Sequence, residues 1–142
     1  MRLEPLYVAR FHYPEVASVD LGSESHWFFI ADGRVEGRIS GVLRAANHPR
    51  RRADGTFCPD MQGTIATDDG ATILFDWRGY GRAYPEGARE IVASATHVAD
   101  AQRYLWLNDV VCACTGVVAG APASMQLTLE VAEIVWEPAA AG

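Results

Sequence analysis

Apolar residues in this chain recur at every second position, and that period commits the backbone to strands with one buried face. In the segment 3–13, Leu3, Tyr7, Ala9, Phe11 and Tyr13 fall on one parity. Val35, Ile39 and Leu43 alternate with Arg34, Glu36, Arg38 and Ser40. Ile73, Phe75 and Trp77 alternate with Thr72, Asp76 and Arg78, and Met125, Leu127, Leu129 and Val131 with Gln126, Thr128 and Glu130. Such alternation is the habit of antiparallel sheets. Turn signals stand between these runs at Asp32-Gly33, Asp54-Gly55, Asp68-Asp69-Gly70, Pro85-Glu86-Gly87 and Gly120-Ala121-Pro122.

The spacing predicts strands near 3–13, 24–31, 34–44, 56–67, 71–80, 89–97, 109–118 and 124–136, with one helical turn over Val98–Tyr104. Consecutive strands joined by short turns make an up-and-down meander, and closing it into a barrel removes the exposed edges. The expectation is an all-β chain: a single closed antiparallel up-and-down β-barrel of about eight strands over residues 1–137. A two-sheet sandwich is the alternative. The interior glycines Gly37 and Gly41 suit a tightly coiled sheet. The Ala-rich segment Pro138–Gly142 reads as a disordered tail.

A net charge of −6 and 18 acidic against 12 basic residues argue against a nucleic-acid surface, which needs a basic face. The run Arg50-Arg51-Arg52 is the exception, and in an acidic domain it fits a small carboxylate-bearing ligand, or plain solubility, better than a duplex. Cys58, Cys112 and Cys114 show neither CxxC nor Cys/His zinc spacing. Read as reduced thiols, they point to a cytoplasmic location. The first residues lack the apolar core of a signal peptide, and no stretch is apolar enough for a membrane span.

The densest polar cluster is Asn47-His48-Pro49-Arg50-Arg51-Arg52-Ala53-Asp54-Gly55. In an up-and-down topology the connections 44–55, 81–88 and 119–123 share one end, so Asn47 to Asp54 meets Tyr80, Arg82 and Tyr84 there. The turns at 32–33, 68–70 and 98–108 share the other end, gathering His97, Tyr104, Trp106 and Asn108 with Asp68 and Asp69. Each candidate has a bland reading beside its functional one. Asp69 reads as hairpin turn or pocket acid, His97 as structural histidine or base, and His48 as inert loop residue or acid/base. Tyr104, Trp106 and Asn108 would share one face of an extended segment, as a plug or as a cavity wall. Tyr80 stands between Gly79 and Gly81 with room to project.

Through Gly37-Arg38-Ile39-Ser40-Gly41, Asn47-His48-Pro49-Arg50, Thr67-Asp68-Asp69-Gly70-Ala71, Arg78-Gly79-Tyr80-Gly81 and Tyr104-Leu105-Trp106-Leu107-Asn108 the chain resembles the domain of unknown function 3237 family, also called UPF0311. The resemblance runs from about Leu6 to Glu133. It implies a calycin-like, lipocalin-like antiparallel barrel and carries no catalytic residue with it.

There is no nucleophile elbow, phosphate-cradling glycine loop or dinucleotide fingerprint. The expectation is therefore a cofactor-free, metal-free enzyme, of lyase, isomerase, cyclase or hydratase type. It would act on a hydrophobic aromatic or polyketide-like carbonyl compound held in the barrel mouth. His48, Asp54 and Tyr80 would be its acid/base groups. Asn47 and Arg50 would bind or polarise an oxygen, with Asp69, His97, Trp106 and Asn108 as further binding residues. The alternatives are a non-catalytic binding barrel for an acidic hydrophobic ligand and a structural oligomer. The apolar run Trp27-Phe28-Phe29-Ile30 exceeds what one inner face can use, and it points to a homodimer or higher homo-oligomer.

Overall fold

The computed structural model describes residues 1–83, 89–120 and 124–140. Tyr84, the Pro85-Glu86-Gly87 turn, Ala121-Pro122 and the last residues of the tail lie outside the described residues. The strands are β1 (Arg2–Asp20), β2 (Ser25–Gly37), β3 (Gly41–Asn47), β4 (Arg50–Arg51), β5 (Phe57–Cys58), β6 (Asp60–Thr67), β7 (Thr72–Ala83), β8 (Arg89–Ala99), β9 (Val111–Ala119) and β10 (Gln126–Val135). Each long strand pairs antiparallel with the next, and β10 returns to pair with β1 along Arg2–His12. The chain is thus a closed eight-strand antiparallel barrel. β4 and β5 form a short ribbon that bridges β2 to β7 at one rim.

The period of two explains the core. Ile73, Phe75 and Trp77 on β7, Ile91 and Ala95 on β8, and Leu127, Leu129 and Val131 on β10 are all buried inside the barrel. Each large apolar side chain so buried contributes about 1.5–3 kcal/mol. Two bulges in β1 break the alternation. An extra residue at Leu6 shifts the register to β10, so Leu6 and Tyr7 are both buried while Leu3, on the same parity as Tyr7, is exposed. A second bulge lies between His12 and Glu15, where Pro14 has no amide to donate to the ladder.

Several boundaries differ from the sequence reading: β1, expected over 3–13, runs on to Asp20. Asp32-Gly33 is no turn: it lies inside β2, pairing with β1 on one side and β3 on the other. Gly33 is needed for close approach, since a Cβ there would lie 2.1 Å from the Arg10 carbonyl oxygen and 2.5 Å from Phe11 Cβ. The turn falls instead after Gly37, whose φ of +152° few other residues adopt, and Arg38 N–H donates to the Leu6 carbonyl there. The strand expected over 56–67 is interrupted at Pro59. The helical turn expected over Val98–Tyr104 is a 3-10 helix over Gln102–Asp109, because Val98 and Ala99 still pair with Leu74 and Ile73 of β7.

That helix closes one end of the barrel. Leu107 is fully buried under it, and Asn108 brackets Ala99, accepting from its N–H and donating to its carbonyl, both at 2.8 Å. The β6–β7 hairpin turns at Asp68-Asp69-Gly70 with Gly70 at φ +92°. The β1–β2 turn, the β4–β5 ribbon, the end of β7, the start of β8, the end of β9 and the start of β10 lie at the opposite, open end. No described helix is long and apolar enough to cross a membrane.

Candidate functional site

Inside the open end lies a cavity of about 400 Å³, walled by aromatic and aliphatic side chains that include Phe11, Trp27, Phe29, Met61, Trp77 and Leu127. Its size and lining suit a small, flat organic ligand. The same alternation that builds the core supplies these walls.

Few polar groups reach this space. Tyr13 sits at the second β1 bulge, and bulges commonly re-aim a side chain. Its hydroxyl accepts a 2.9 Å hydrogen bond from Asn47 Nδ2, at the end of β3. The other end of that amide is fixed because Asn47 Oδ1 accepts from Asp60 N–H at 3.1 Å. Burial pushes the Tyr13 phenol up to about 12, partly opposed by the Asn47 bond, so it remains protonated at neutral pH. Its own proton is then free to be donated to an acceptor in the cavity. Arg89 opens β8 on the inward parity of Ile91 and lies at the cavity mouth, its guanidinium 4.3 Å from the centre of the Phe57 ring. No described residue forms a salt bridge with it. Burial and the neighbouring charge of Arg51 both hold its pKa down.

Towards the closed end, Tyr7 Oη and His97 Nε2 form a 2.7 Å hydrogen bond, their rings edge to face. His97 is only 2% exposed and its Nδ1 has no partner. Burial lowers its pKa to about 4, which keeps the imidazole neutral. Burial holds the Tyr7 phenol well above its usual value, and the Trp77 N–H beside it opposes this only in part. Cys112 and Cys114 face the interior as free thiols, pushed up by burial to about 11 and about 12. They are poor nucleophiles in that state. Among the described residues no three His, Cys, Asp or Glu side chains gather as a metal would require.

Of the residues singled out from the sequence, Asn47 lines the cavity. His48, Arg50 and Tyr80 line a separate open groove of about 520 Å³ on the barrel exterior, with His26, Asp60 and Arg78. Tyr80 is exposed on the outer face of β7, opposite Val92 of β8 and with Arg52 over its ring at 5.7 Å. Asp54 is held by Arg52 at 2.8 Å and accepts from Thr56 N–H, which lowers its pKa to about 2. Asp69 takes Arg103 at 2.6 Å and the Tyr104 hydroxyl, and these, with Thr67, hold its carboxyl far below the usual range. Trp106 lies under Arg38 and donates to the Arg103 carbonyl. Tyr104, Trp106 and Asn108 do not share a face, because the segment is 3-10 and not extended. His97 and this cluster belong to the closed end, the groove residues to the open end.

The family model described as "Protein of unknown function (DUF3237)" matches residues 1–133. The chain belongs to the DUF3237 family. Solved structures repeat its barrel. A protein of unknown function from Clostridium acetobutylicum superposes with a TM-score of 0.85 at 16% identity, over 95% of this chain and 100% of that one. A β-barrel-like protein from Acinetobacter baumannii gives 0.79 at 18%, over 93% and 94%. An enzyme from Penicillium herquei gives 0.68 at 21% identity, over 92% and 93%. No curated protein matches the chain. At these identities the likeness to solved structures is one of fold.

Proposed function

We propose that this DUF3237 barrel is a cofactor-independent enzyme for a hydrophobic aromatic or polyketide-like carbonyl compound, performing isomerase, lyase, cyclase or hydratase chemistry. The observation that carries the reading is the protonated, buried Tyr13 fixed by Asn47 beside an otherwise apolar cavity. A donor held in a dry site stabilises an oxyanion far better than the same donor in water. Tyr13 polarises the carbonyl oxygen of the ligand, and Asn47 keeps the phenol oriented as negative charge grows on that oxygen. The walls hold the reacting atoms of one molecule close together, so the substrate's own groups react with little entropy left to lose. An enzyme of this fold in Penicillium herquei supports catalysis as a use of such a barrel. On this reading His48, Arg50 and Tyr80 form an approach groove outside the cavity, where proton exchange with solvent is easy.

A second reading has its own observation. The cavity lining contains no carboxylate and no imidazole among the described residues, which suits a carrier for an acidic hydrophobic ligand. One experiment separates the two. Protein and a panel of hydroxylated aryl ketones and aromatic β-diketones are incubated in D2O and analysed by mass spectrometry for new isomers and for deuterium α to the carbonyl. Catalysis predicts one or the other with wild-type protein, and Tyr13→Phe slowing it about 10²-fold or more while compounds still bind. Compounds that bind yet neither exchange nor rearrange leave the carrier.

A further inference from the structure

We propose that Arg89 is the receptor for the anionic head of an amphipathic aromatic ligand, a carboxylate, phenolate or sulfonate, whose apolar body fills the barrel cavity. This rests on the proposal that the cavity takes an aromatic molecule and specifies the ligand's charge and the direction in which it enters.

The geometry runs through the rim ribbon. Arg51 of β4 pairs opposite Phe57 of β5, and Phe57 in turn pairs with Gly81 of β7. Paired residues of an antiparallel ladder project to the same side, so Arg51 and Phe57 share one side of the ribbon. Arg89 covers the Phe57 ring at 4.3 Å, at the cavity mouth, with Arg51 near enough for its charge to be felt. Arg51 donates to Ser25 Oγ at 3.1 Å, and Ser25 Oγ donates to Asp20 at 3.2 Å, so Arg51 has a polar, mostly structural assignment. Among the described residues the Arg89 guanidinium has no such partner, and it rests on the face of Phe57. Most other arginines behave differently, with Arg34, Arg38, Arg52, Arg78 and Arg103 each within 4.0 Å of a carboxylate. A half-buried guanidinium with no counter-ion among the described residues is costly, and its planar fork matches an oxyanion bidentately. Its lowered pKa has the same origin, desolvation and the charge of Arg51. Arg50 is exposed on the exterior groove and does not border this cavity.

The test uses two fluorophores with one aromatic frame, 1-anilinonaphthalene-8-sulfonate and uncharged N-phenyl-1-naphthylamine, titrated into the full chain. Arg89→Met should weaken the sulfonate about tenfold and change the uncharged probe less than about twofold. Arg51→Met should cost the sulfonate less, and Arg89→Lys should restore part of its affinity by charge without the fork. Arg10→Gln, an exposed arginine on the outer wall, should change neither probe and so removes net charge as the explanation. In wild-type protein, raising NaCl from about 0.05 to about 0.5 M should weaken the sulfonate alone. That measurement stands even if Arg89→Met fails to fold by circular dichroism. Should both probes bind wild-type protein with equal salt response, or lose affinity together in Arg89→Met, the anion receptor is refuted and the cavity reading survives. If neither probe binds wild-type protein, the cavity reading itself fails and this inference goes with it.

Discussion

A neutral imidazole sealed beneath a phenol makes stability depend on pH. His97 has a folded pKa of about 4, against about 6.5 in an unfolded chain. Between these values the unfolded chain binds a proton that the folded chain refuses, so stability rises with pH across the window. The contribution is complete above about pH 6.5 and is lost as pH falls towards 4, by about 3 kcal/mol in all. Urea unfolding at intervals from about pH 7 to about 4.5 should show this slope, and His97→Gln should flatten it. An unchanged slope in the variant would mean that the pair does not set the dependence. The carboxylates Asp54 and Asp69, both shifted downwards, add their own loss only below about pH 5, so the slope between about pH 7 and about pH 5 belongs to His97. At this scale the sequence was partly legible. The inward parity of Ile91, Ala95 and His97, carried back two positions, reaches Arg89. The strand expected over 89–97 begins at this arginine, and what the sequence does not show is that it covers the Phe57 ring across the rim. Tyr13 was readable as core, but its aim was not, because a bulge shows in the ladder and not in residue identity.

Single elements carry consequences of their own. The 3-10 helix holds the closed end by one apolar anchor and a set of polar clasps, so its residues differ in worth. Leu107→Ala should destabilise the barrel by about 2–4 kcal/mol, since the site beneath the helix cannot collapse readily. Trp106→Ala should cost much less, because this ring is 36% exposed and packs under Arg38; chemical denaturation measures both. Equal losses would mean that Trp106 is the true plug. Gly33→Ala should be worse than either, with the added methyl directed at the Arg10 carbonyl in the middle of the ladder. Failure of that variant to accumulate as folded protein is the expected result; a stable, native-like Gly33→Ala barrel would refute the close-approach account. The eight long strands were legible because a period of two shows over most of each, whereas the two-residue β4 lay hidden in the expected connection 44–55. The boundaries were not legible. Asp-Gly suits a hairpin by its backbone freedom, and the same freedom serves a glycine squeezed between neighbouring strands.

For the whole molecule, the closure of β10 onto β1 was the step that alternation implied but could not prove, and the structure supplies it. Closure leaves one irregularity. The pairing of β1 with β10 ends at His12, yet β1 continues to Asp20 with β2 alone beside it. Among the described residues Glu15–Asp20 is therefore a free strand edge, and free edges recruit other strands. Next to it the outer face exposes Phe28 at 49%, Val19 at 61% and Leu21 at 65%. The run Trp27-Phe28-Phe29-Ile30 divides accordingly: Phe29 faces inward, Trp27 borders the cavity, and Phe28 is left on the surface. A second copy adding its own β1 antiparallel across a two-fold axis would satisfy the edge amides and cover Phe28 and Val19 together, an isologous arrangement. A stable interface needs about 800 Å² from each partner, more than six edge residues supply, so the apolar face must contribute. Light scattering at micromolar concentration should give twice the chain mass. Phe28→Lys combined with Val19→Lys should give single chains whose circular dichroism is unchanged, because neither side chain enters the core. A wild-type monomer, or a dimer indifferent to both lysines, would place the contact elsewhere or nowhere.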